Sequence, residues 1–422
     1  MSGSMQGTHG SQRIGPWRPH DTRSLNRVNP LLALVNLSSA EKEKRGIVHT
    51  PREILQQPAT WSRTWTHIRA RLLEIQTFLS TAGLKGPLNE RPTVYLIGAG
   101  TSDYIGRCLH HLLRQKWQCE VVPVSSTDLL VNFSDYLIEE RPYLWISFSR
   151  SGDSPEGVAV LERALAEKPR ISHLVISCNA SGQMSQLIKG KPGSLGIVLH
   201  EETNDQGLAM TSSFTNMVIA GQALAHAWSP EEYEPFVEAM SEAAYAFLPT
   251  AAELAEKLAA RAYPRACFIG SGPLAGTALE SALKLLELTA GRTKTMSQAT
   301  LGLRHGPMAA LDKDTLLVSF LSTQSTRQRY EIDLLREIER KELVGASLAV
   351  IGCGASPRPQ LESTQVVAPQ EQWLVPDLYR PAVDVLFGQL LGLFFSLENS
   401  LRPDSPSPNG AISRVVQPIG IY

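Results

Sequence analysis

Short apolar runs that end in glycine or serine alternate along this chain with stretches of helical periodicity. Arg52 to Phe78 carries apolar residues at helical spacing. VYLIGAG (94–100) then reads as a buried strand closing in a glycine turn, and Asp103–Gln115 as the helix after it. CEVVPVSS (119–126) and YLWISFS (143–149) are further strands, Pro155–Glu167 is a helix, and HLVISCN (173–179) and LGIVLHE (195–201) continue the series. Continuous apolar, β-branched runs belong to strands buried on both faces. The pattern therefore predicts a parallel sheet with helices on either side.

A long helical section from Thr211 to Ala262 follows, and then the pattern restarts. ACFIGSGPL (266–274) repeats the form of VYLIGAGTS (94–102), each ahead of a helix. TLLVSFLS (315–322), the amphipathic stretch Arg327–Arg340, SLAVIGCG (347–354) and a final apolar helix complete the second round. The predicted fold is α/β, two tandem three-layer (αβα) units with parallel sheets, related by internal duplication. Residues 1–45 read as a flexible N-terminal extension, 46–240 as the first unit and 241–400 as the second. Residues 401–422, dense in Pro and Ser, read as a tail lying over a surface.

Composition narrows the function. At 422 residues and 43% apolar the chain can bury a large core. With 40 basic and 41 acidic residues it lacks the basic field that gathers nucleic acid. The five cysteines, Cys108, Cys119, Cys178, Cys267 and Cys353, are odd in number and show no CxxC spacing, which suits a reducing, cytoplasmic compartment better than a disulfide framework. The longest apolar stretch, Val385–Leu397, is interrupted by Gln389 and falls short of the ~20 residues a bilayer span needs. A buried helix is expected there, with no membrane role. The polar N-terminus carries no apolar signal segment.

Gly-x-Gly after a strand invites a dinucleotide reading, which the residues disfavour. Asp103 stands where the first unit needs a third glycine, and an acid there would repel phosphates. In the second unit Gly270, Gly272 and Ala275 fit the spacing, but no strand with a ribose-binding acid follows. These glycines are expected simply to allow a tight strand-to-helix turn.

SFSRSGDS (147–154) is different. A helix start needs one side-chain cap, which Ser154 or Asp153 ahead of Pro155 supplies, leaving Ser149 and Ser151 unexplained. Hydroxyls of Ser149, Ser151 and Ser154, with the N–H of Gly152 and the helix N-terminus, make a donor-rich nest suited to a phosphate monoester. Thr101 and Ser102 can add hydroxyls from the neighbouring loop, and Arg150 a charge-assisted bond. The matching stretch of the second unit, SFLSTQS (319–325), has no Ser-x-Ser-Gly run, so one phosphate site per chain is expected.

The second unit concentrates other chemistry. Glu280, Lys284 and Glu287 share one side of a helix, which by itself predicts a surface salt-bridge ladder. Further on, His305 is held between glycine and proline in LRHGPMAAL (303–311), as structural or as catalytic histidines can be.

Taken together, GAGTS, SFSRSGDS, and ESALKLLELTAG followed by LRHGPMAAL resemble the sugar-isomerase (SIS) domain family. HTPREILQQP (49–58), ETNDQGLAMTSSFTNM (202–217) and DSPSPNGAISRVVQ (404–417) resemble its AgaS-type subgroup of tagatose-6-phosphate ketose/aldose isomerases and galactosamine-6-phosphate deaminases. The resemblance covers residue 46 to the C-terminus. It implies two flavodoxin-like units acting on amino- or keto-sugar phosphates with no cofactor and no metal.

By motif, the resemblance places the phosphate site on Thr101, Ser102, Ser149, Arg150, Ser151 and Ser154, the proton-shuttling base on Glu287 and the ring-opening histidine on His305. It also implies a homodimer with His305 reaching the partner's site. Ala209, Met210, Thr211, Ser212 and Lys284 are candidates to line the sugar, and the tail to cover it. Glucosamine-6-phosphate synthase, a two-unit relative, uses a lysine in its last residues. This chain has none in its last twenty, so glutamine-dependent amination is not expected. The implied reaction is deaminating isomerisation of an amino-sugar 6-phosphate, with plain aldose/ketose isomerisation or a non-catalytic sugar-phosphate sensor as alternatives.

Overall fold

The computed structural model describes residues 29–352, 359–368, 375–417 and 420–422. Strands β1 (Thr93–Gly98), β2 (Val121–Ser125), β3 (Tyr143–Ser149), β4 (Ile171–Ser177) and β5 (Ser194–Val198) form one five-stranded sheet in the order β2-β1-β3-β4-β5. Strands β6 (Arg265–Gly270), β7 (Lys294–Ala299), β8 (Thr315–Leu321), β9 (Ala346–Ile351) and β10 (Gln365–Val367) form another in the order β10-β9-β8-β6-β7. Counted from its own first strand, each is the flavodoxin-like 2-1-3-4-5 arrangement, and the pairing is parallel throughout. The duplication is thus one of topology as well as sequence.

Strand register aligns the two units residue by residue. Gly98 pairs with Ser125 as Gly270 pairs with Ala299, and Ile97 with Ser147 as Ile269 with Ser319. β1, β3 and β8 are buried along their whole length, as their unbroken apolar runs require. β7 and β10 are edge strands that the sequence pattern passed over. KTMSQA contains no apolar run and is half-exposed, and QVV is only three residues long.

The units share a helical layer. Helix Pro273–Leu288 of the second unit packs against Thr101–Trp117 of the first on one side and against Pro381–Glu398 on the other. Glycines permit both approaches: a methyl group at Gly276 would lie 2.6 Å from Cys108 Sγ and 2.8 Å from Cys108 N, and one at Gly392 would lie 3.0 Å from Lys284 O. One continuous core consequently draws on both units, from Leu96 and Leu109 to Leu285, Phe320 and Phe387. The apolar helix Pro381–Glu398, alone among the described helices in being long and apolar enough to cross a membrane, is 89% buried in this core.

Two expected boundaries move. The division at 240/241 falls inside one continuous helix, Pro230–Ala259, which packs on Gln57–Ala70 and on Pro381–Glu398 alike. The extension expected over 1–45 is ordered from Pro30. Helices Pro30–Val35 and Ser39–Arg45 are capped by Asn29 and Ser38, and Leu31 and Leu34 join the core. Residues 1–28 of that extension lie outside the described residues. The start of the tail is tied to the N-terminal helices: the Asp404 carboxylate accepts from His49 N (3.1 Å), Thr50 N (2.8 Å) and the Thr50 hydroxyl (2.8 Å), and Arg402 donates to the carbonyls of Glu43 and Lys44.

Candidate active site

In an open parallel sheet, ligands sit beyond the carboxyl ends of the strands where the order reverses, here between β1 and β3. There β3 runs into the turn at Arg150–Ser154 and then helix Pro155–Glu167. Ser154 caps that helix by accepting Gly157 N–H at 3.2 Å, with Pro155 at its first position. Ser149 Oγ accepts from Gly152 N at 3.0 Å and Ser151 Oγ from Asp153 N at 3.1 Å. Gly152 has φ +73° and lies against Gly182, a close approach in a left-handed conformation that favours glycine. Above the turn is a small cleft lined by Ser102, Ser126, Ser147, Ser149 and Ser154. Of the residues expected to hold a phosphate, the structure brings Ser102, Ser149 and Ser154 together here. Ser126 and Ser147 were not singled out by sequence, because a serine just past β2 or within β3 carries no signal of its own.

Three predicted phosphate ligands are not in the cleft. Ser151 is engaged within the turn itself. Arg150, 6% exposed, donates to the carbonyls of Leu208 (3.1 Å), Gly207 (3.4 Å) and Arg414. Its guanidinium is turned onto these backbone carbonyls, so it fastens the turn to the tail instead of facing an anion. Arg414 reciprocates by donating to Asp205 O at 2.8 Å and Asn204 Oδ1 at 2.9 Å. Thr101, the third, lies in the contact between the two units.

The predicted sugar-lining stretch is mostly spent internally. The Asp205 carboxylate caps helix Ser212–Ala225, accepting N–H from Thr211 (2.8 Å), Ser212 (2.9 Å) and Ser213 (2.8 Å) together with the Thr211 hydroxyl (2.9 Å). Ser212 Oγ donates to Glu53 O at 2.7 Å, and Ala209 is buried. Only Met210 reaches the cleft residues, its Sδ 4.0 Å from Ser102 Oγ. Glu53, in HTPREILQQP, holds the Gln206 and Gly207 N–H groups, and burial together with Asp205 and Asp404 pushes its carboxyl up to about 8.

The acidic and basic residues of helix Pro273–Leu288 are not a surface ladder. Because that helix is covered on both sides, Glu280 is 0% and Lys284 1% exposed, whereas the Glu287 side chain retains 24%. Lys284 Nζ lies 2.6 Å from Glu287 Oε2, 3.0 Å from Thr101 Oγ1 and 3.4 Å from Glu280 Oε1. Burial pushes the Glu280 carboxyl up to about 8, Glu287 adds to the rise and Lys284 only partly opposes it. Burial pulls the other way on Lys284, but the two carboxylates outweigh it and raise its pKa. The ammonium is therefore paired with Glu287 while Glu280 keeps its proton near neutrality, accepting a hydrogen bond from the Thr101 hydroxyl at 3.3 Å.

His305 stands exposed on the turn after β7, and no hydrogen bond or ion pair joins it to Glu287 within the chain. Among the described residues no group of three or more His, Cys, Asp or Glu is placed to hold a metal ion.

No family model matches the chain. A D-galactosamine-6-phosphate deaminase AgaS of Escherichia coli is 35% identical to it over 382 residues, 88% of this chain and 95% of that one. The chain belongs to the AgaS family. Another AgaS D-galactosamine-6-phosphate deaminase, from Shewanella sp. (strain ANA-3), is 30% identical over 92% of this chain and 95% of its own. The crystal structure of tagatose-6-phosphate ketose/aldose isomerase from Escherichia coli is similar at a TM-score of 0.77 and 32% identity, covering 85% of this chain and 94% of that one. The AgaS-family likeness spans both sheet units, and the SIS-domain resemblance seen in the motifs is thereby upheld.

Proposed function

We propose that the protein converts D-galactosamine 6-phosphate and water to D-tagatose 6-phosphate and ammonia. One observation carries this reading: adjacent residues serve the two parts of the site. Ser102 lines the serine cleft, and Thr101 touches the Lys284–Glu287 pair. A sugar phosphate anchored in the cleft thus starts one residue away from the partly exposed carboxylate of the buried triad. The hydroxyls and helix N-terminus take the phosphate without any lysine or arginine. Glu287 is the member of the triad that reaches solvent, which suits the group that meets substrate.

Once the ring is open, Glu287 removes the C2 proton of the amino aldehyde as O1 gains one, giving an enolamine. Return of a proton to C1 produces the C2 imine, and water hydrolyses it to the ketone and ammonia. Lys284 orients the carboxylate and balances its charge, and His305 moves the proton of ring opening at O5 or O1. Because His305 is exposed and its side chain has no hydrogen bond or ion pair among the described residues, we assign it to the site of a second copy in a cytoplasmic homodimer. Mixing Glu287→Gln and His305→Ala subunits then regenerates one intact site per heterodimer, and activity returns to two inactive preparations.

Enolamine and enediol chemistry need the same base, and a solved relative carries an isomerase name. Ammonia release decides between them. Purified, metal-free protein is given galactosamine 6-phosphate and, separately, glucosamine 6-phosphate, and the ketose is identified. Ammonia from the galacto substrate alone supports the reading. No ammonia, with solvent exchange at C1 of tagatose 6-phosphate, replaces it with simple isomerisation, and binding without turnover replaces it with a sensor.

A further inference from the structure

Ser126 is 1% exposed, lines the serine cleft, and its Oγ is buried with no hydrogen-bond partner among the described residues. Leaving a buried hydroxyl unsatisfied costs stability relative to its hydration in the unfolded chain. A buried orphan is not a site by itself: Ser319 Oγ, the counterpart of Ser147 in the second unit, is also unpartnered. The surroundings distinguish Ser126. It shares its cleft with Ser102, whose Oγ is approached by Met210 Sδ at 4.0 Å, and with the hydroxyls of Ser147, Ser149 and Ser154.

The duplicated unit supplies an internal control. Register places Ser125 opposite Gly98 and Ala299 opposite Gly270, so Ser126 and Thr300 are equivalent, each the first residue beyond its strand. Thr300, 0% exposed, accepts a hydrogen bond from Ser271 Oγ at 3.0 Å, and the equivalent of Ser271 in the first unit is Ala99, which cannot donate one. The second unit satisfies this corner from within, and the first unit has lost the internal donor but kept the hydroxyl.

From this we infer that Ser126 is a ligand of the substrate's phosphate, donating its hydroxyl to a phosphate oxygen from the β2 side of the cleft. The inference rests on the reading of the cleft as a phosphate site. It assigns to β2 a contact that the strand-end motifs after β1 and β3 do not contain, so three strands of the first sheet contribute to the anion site. A hydroxyl donated to a charged acceptor is worth about 1.5–3 kcal/mol, or roughly 10- to 150-fold in affinity.

The test is calorimetric titration of the ligand-free protein with inorganic phosphate, alongside thermal melts without phosphate, for wild type, Ser126→Ala and Ser126→Thr. Ser126→Ala is expected to weaken phosphate binding at least about 10-fold while the ligand-free melting temperature stays the same or rises, because the variant removes an unsatisfied group. Ser126→Thr restores binding, since a threonine already fits this corner in the second unit. Opposite movement of affinity and stability is what a merely structural hydroxyl does not produce. Unchanged phosphate affinity in Ser126→Ala, or a lower melting temperature with affinity intact, overturns the assignment while leaving the cleft reading in place. Wild-type protein that binds no phosphate overturns both.

Discussion

At the carboxyl end of β3 the turn through Ser149 and Ser154 borders an open, serine-lined cleft, whereas at the same point of the second sheet the turn after β8 closes on a carboxylate. Asp377 accepts from the Ser322 hydroxyl, from Thr323 N and Thr323 Oγ1 (both 2.9 Å), and from Arg327 (3.2 Å) and Arg380 (3.0 Å). Burial alone would raise its pKa, but Arg380 and the Ser322 and Thr323 donors hold it below the ordinary aspartate value. On the proposed reading, the donors that gather an external anion in one unit gather the chain's own anion in the other. A duplicated strand-end turn keeps its appetite for negative charge, and where no ligand is recruited the fold supplies a permanent substitute. The second unit is then free to specialise in the Lys284–Glu287 pair.

This division of labour separates predicted effects on turnover, stability and binding. Largest is Glu287→Gln. Loss of a positioned general base costs about 10²- to 10⁴-fold in kcat, while the cleft in the other unit is untouched, so KM stays within a few-fold. Steady-state kinetics with ammonia detection measure both, and undiminished kcat removes Glu287 from the mechanism.

Next is Asp377→Ala, which strips the plug from the second turn while Arg380 keeps its contact with Asp384 at 2.7 Å. A loss of about 3 kcal/mol in stability is expected from breaking a buried ion pair, with KM unchanged. The sign with pH is fixed by the depressed pKa: the stabilisation from Asp377 is complete above the unfolded aspartate value and disappears as pH falls through the lower folded one. Melts of wild type and variant therefore converge only in strong acid. A raised KM with unchanged stability would make the second turn a ligand site and erase the contrast.

Ser149→Ala tests the first turn from the other direction. It removes a phosphate hydroxyl and the acceptor of the Gly152 N–H, and should raise KM roughly 10-fold for about 1.5 kcal/mol of binding, with kcat nearly constant. Stability should fall by less than for Asp377→Ala. Equal effects on kcat and KM would mean that the turn acts in the chemical step.

The alternation of strands and helices, the duplication and the buried character of Val385–Leu397 were legible because apolar runs and strand-to-helix turns are local signals. So was a helix cap at Ser154 or Asp153, which the following proline announces and the structure resolves in favour of Ser154. What could not be read was the direction in which a side chain points once another segment arrives. Arg150 was assigned to a phosphate because it sits among serines, yet the carbonyls that take it come from residues 207, 208 and 414, far along the chain. Thr211 and Ser212 looked available until Asp205 and Glu53 were in place around them. The spacing of Glu280, Lys284 and Glu287 correctly put them on one side of a helix, but only the glycine approaches at Gly276 and Gly392 bury that side. Ser126 was invisible because a lone serine after a strand becomes informative only when its cleft is known.

The smallest predicted effect concerns a second buried carboxylate of the same unit, one that has no plug to form. Asp377 is ionised because five donors surround it, whereas Glu280 Oε2 has no partner and Lys284 is shared with Glu287. With its pKa pushed up to about 8, Glu280 is neutral at pH 7, and glutamine should replace it with little change in kcat. The linkage runs opposite to that of Asp377. A carboxyl whose folded pKa is raised contributes fully below its unfolded value, and its contribution declines as pH climbs toward the folded one. Glu280→Gln does not titrate, so its melting temperature should match wild type near pH 5 and exceed it at about pH 8.5. Should the variant instead be the less stable protein at high pH, Glu280 is the anionic partner of Lys284, and Glu287 would be left freer of the ammonium than the 2.6 Å contact implies.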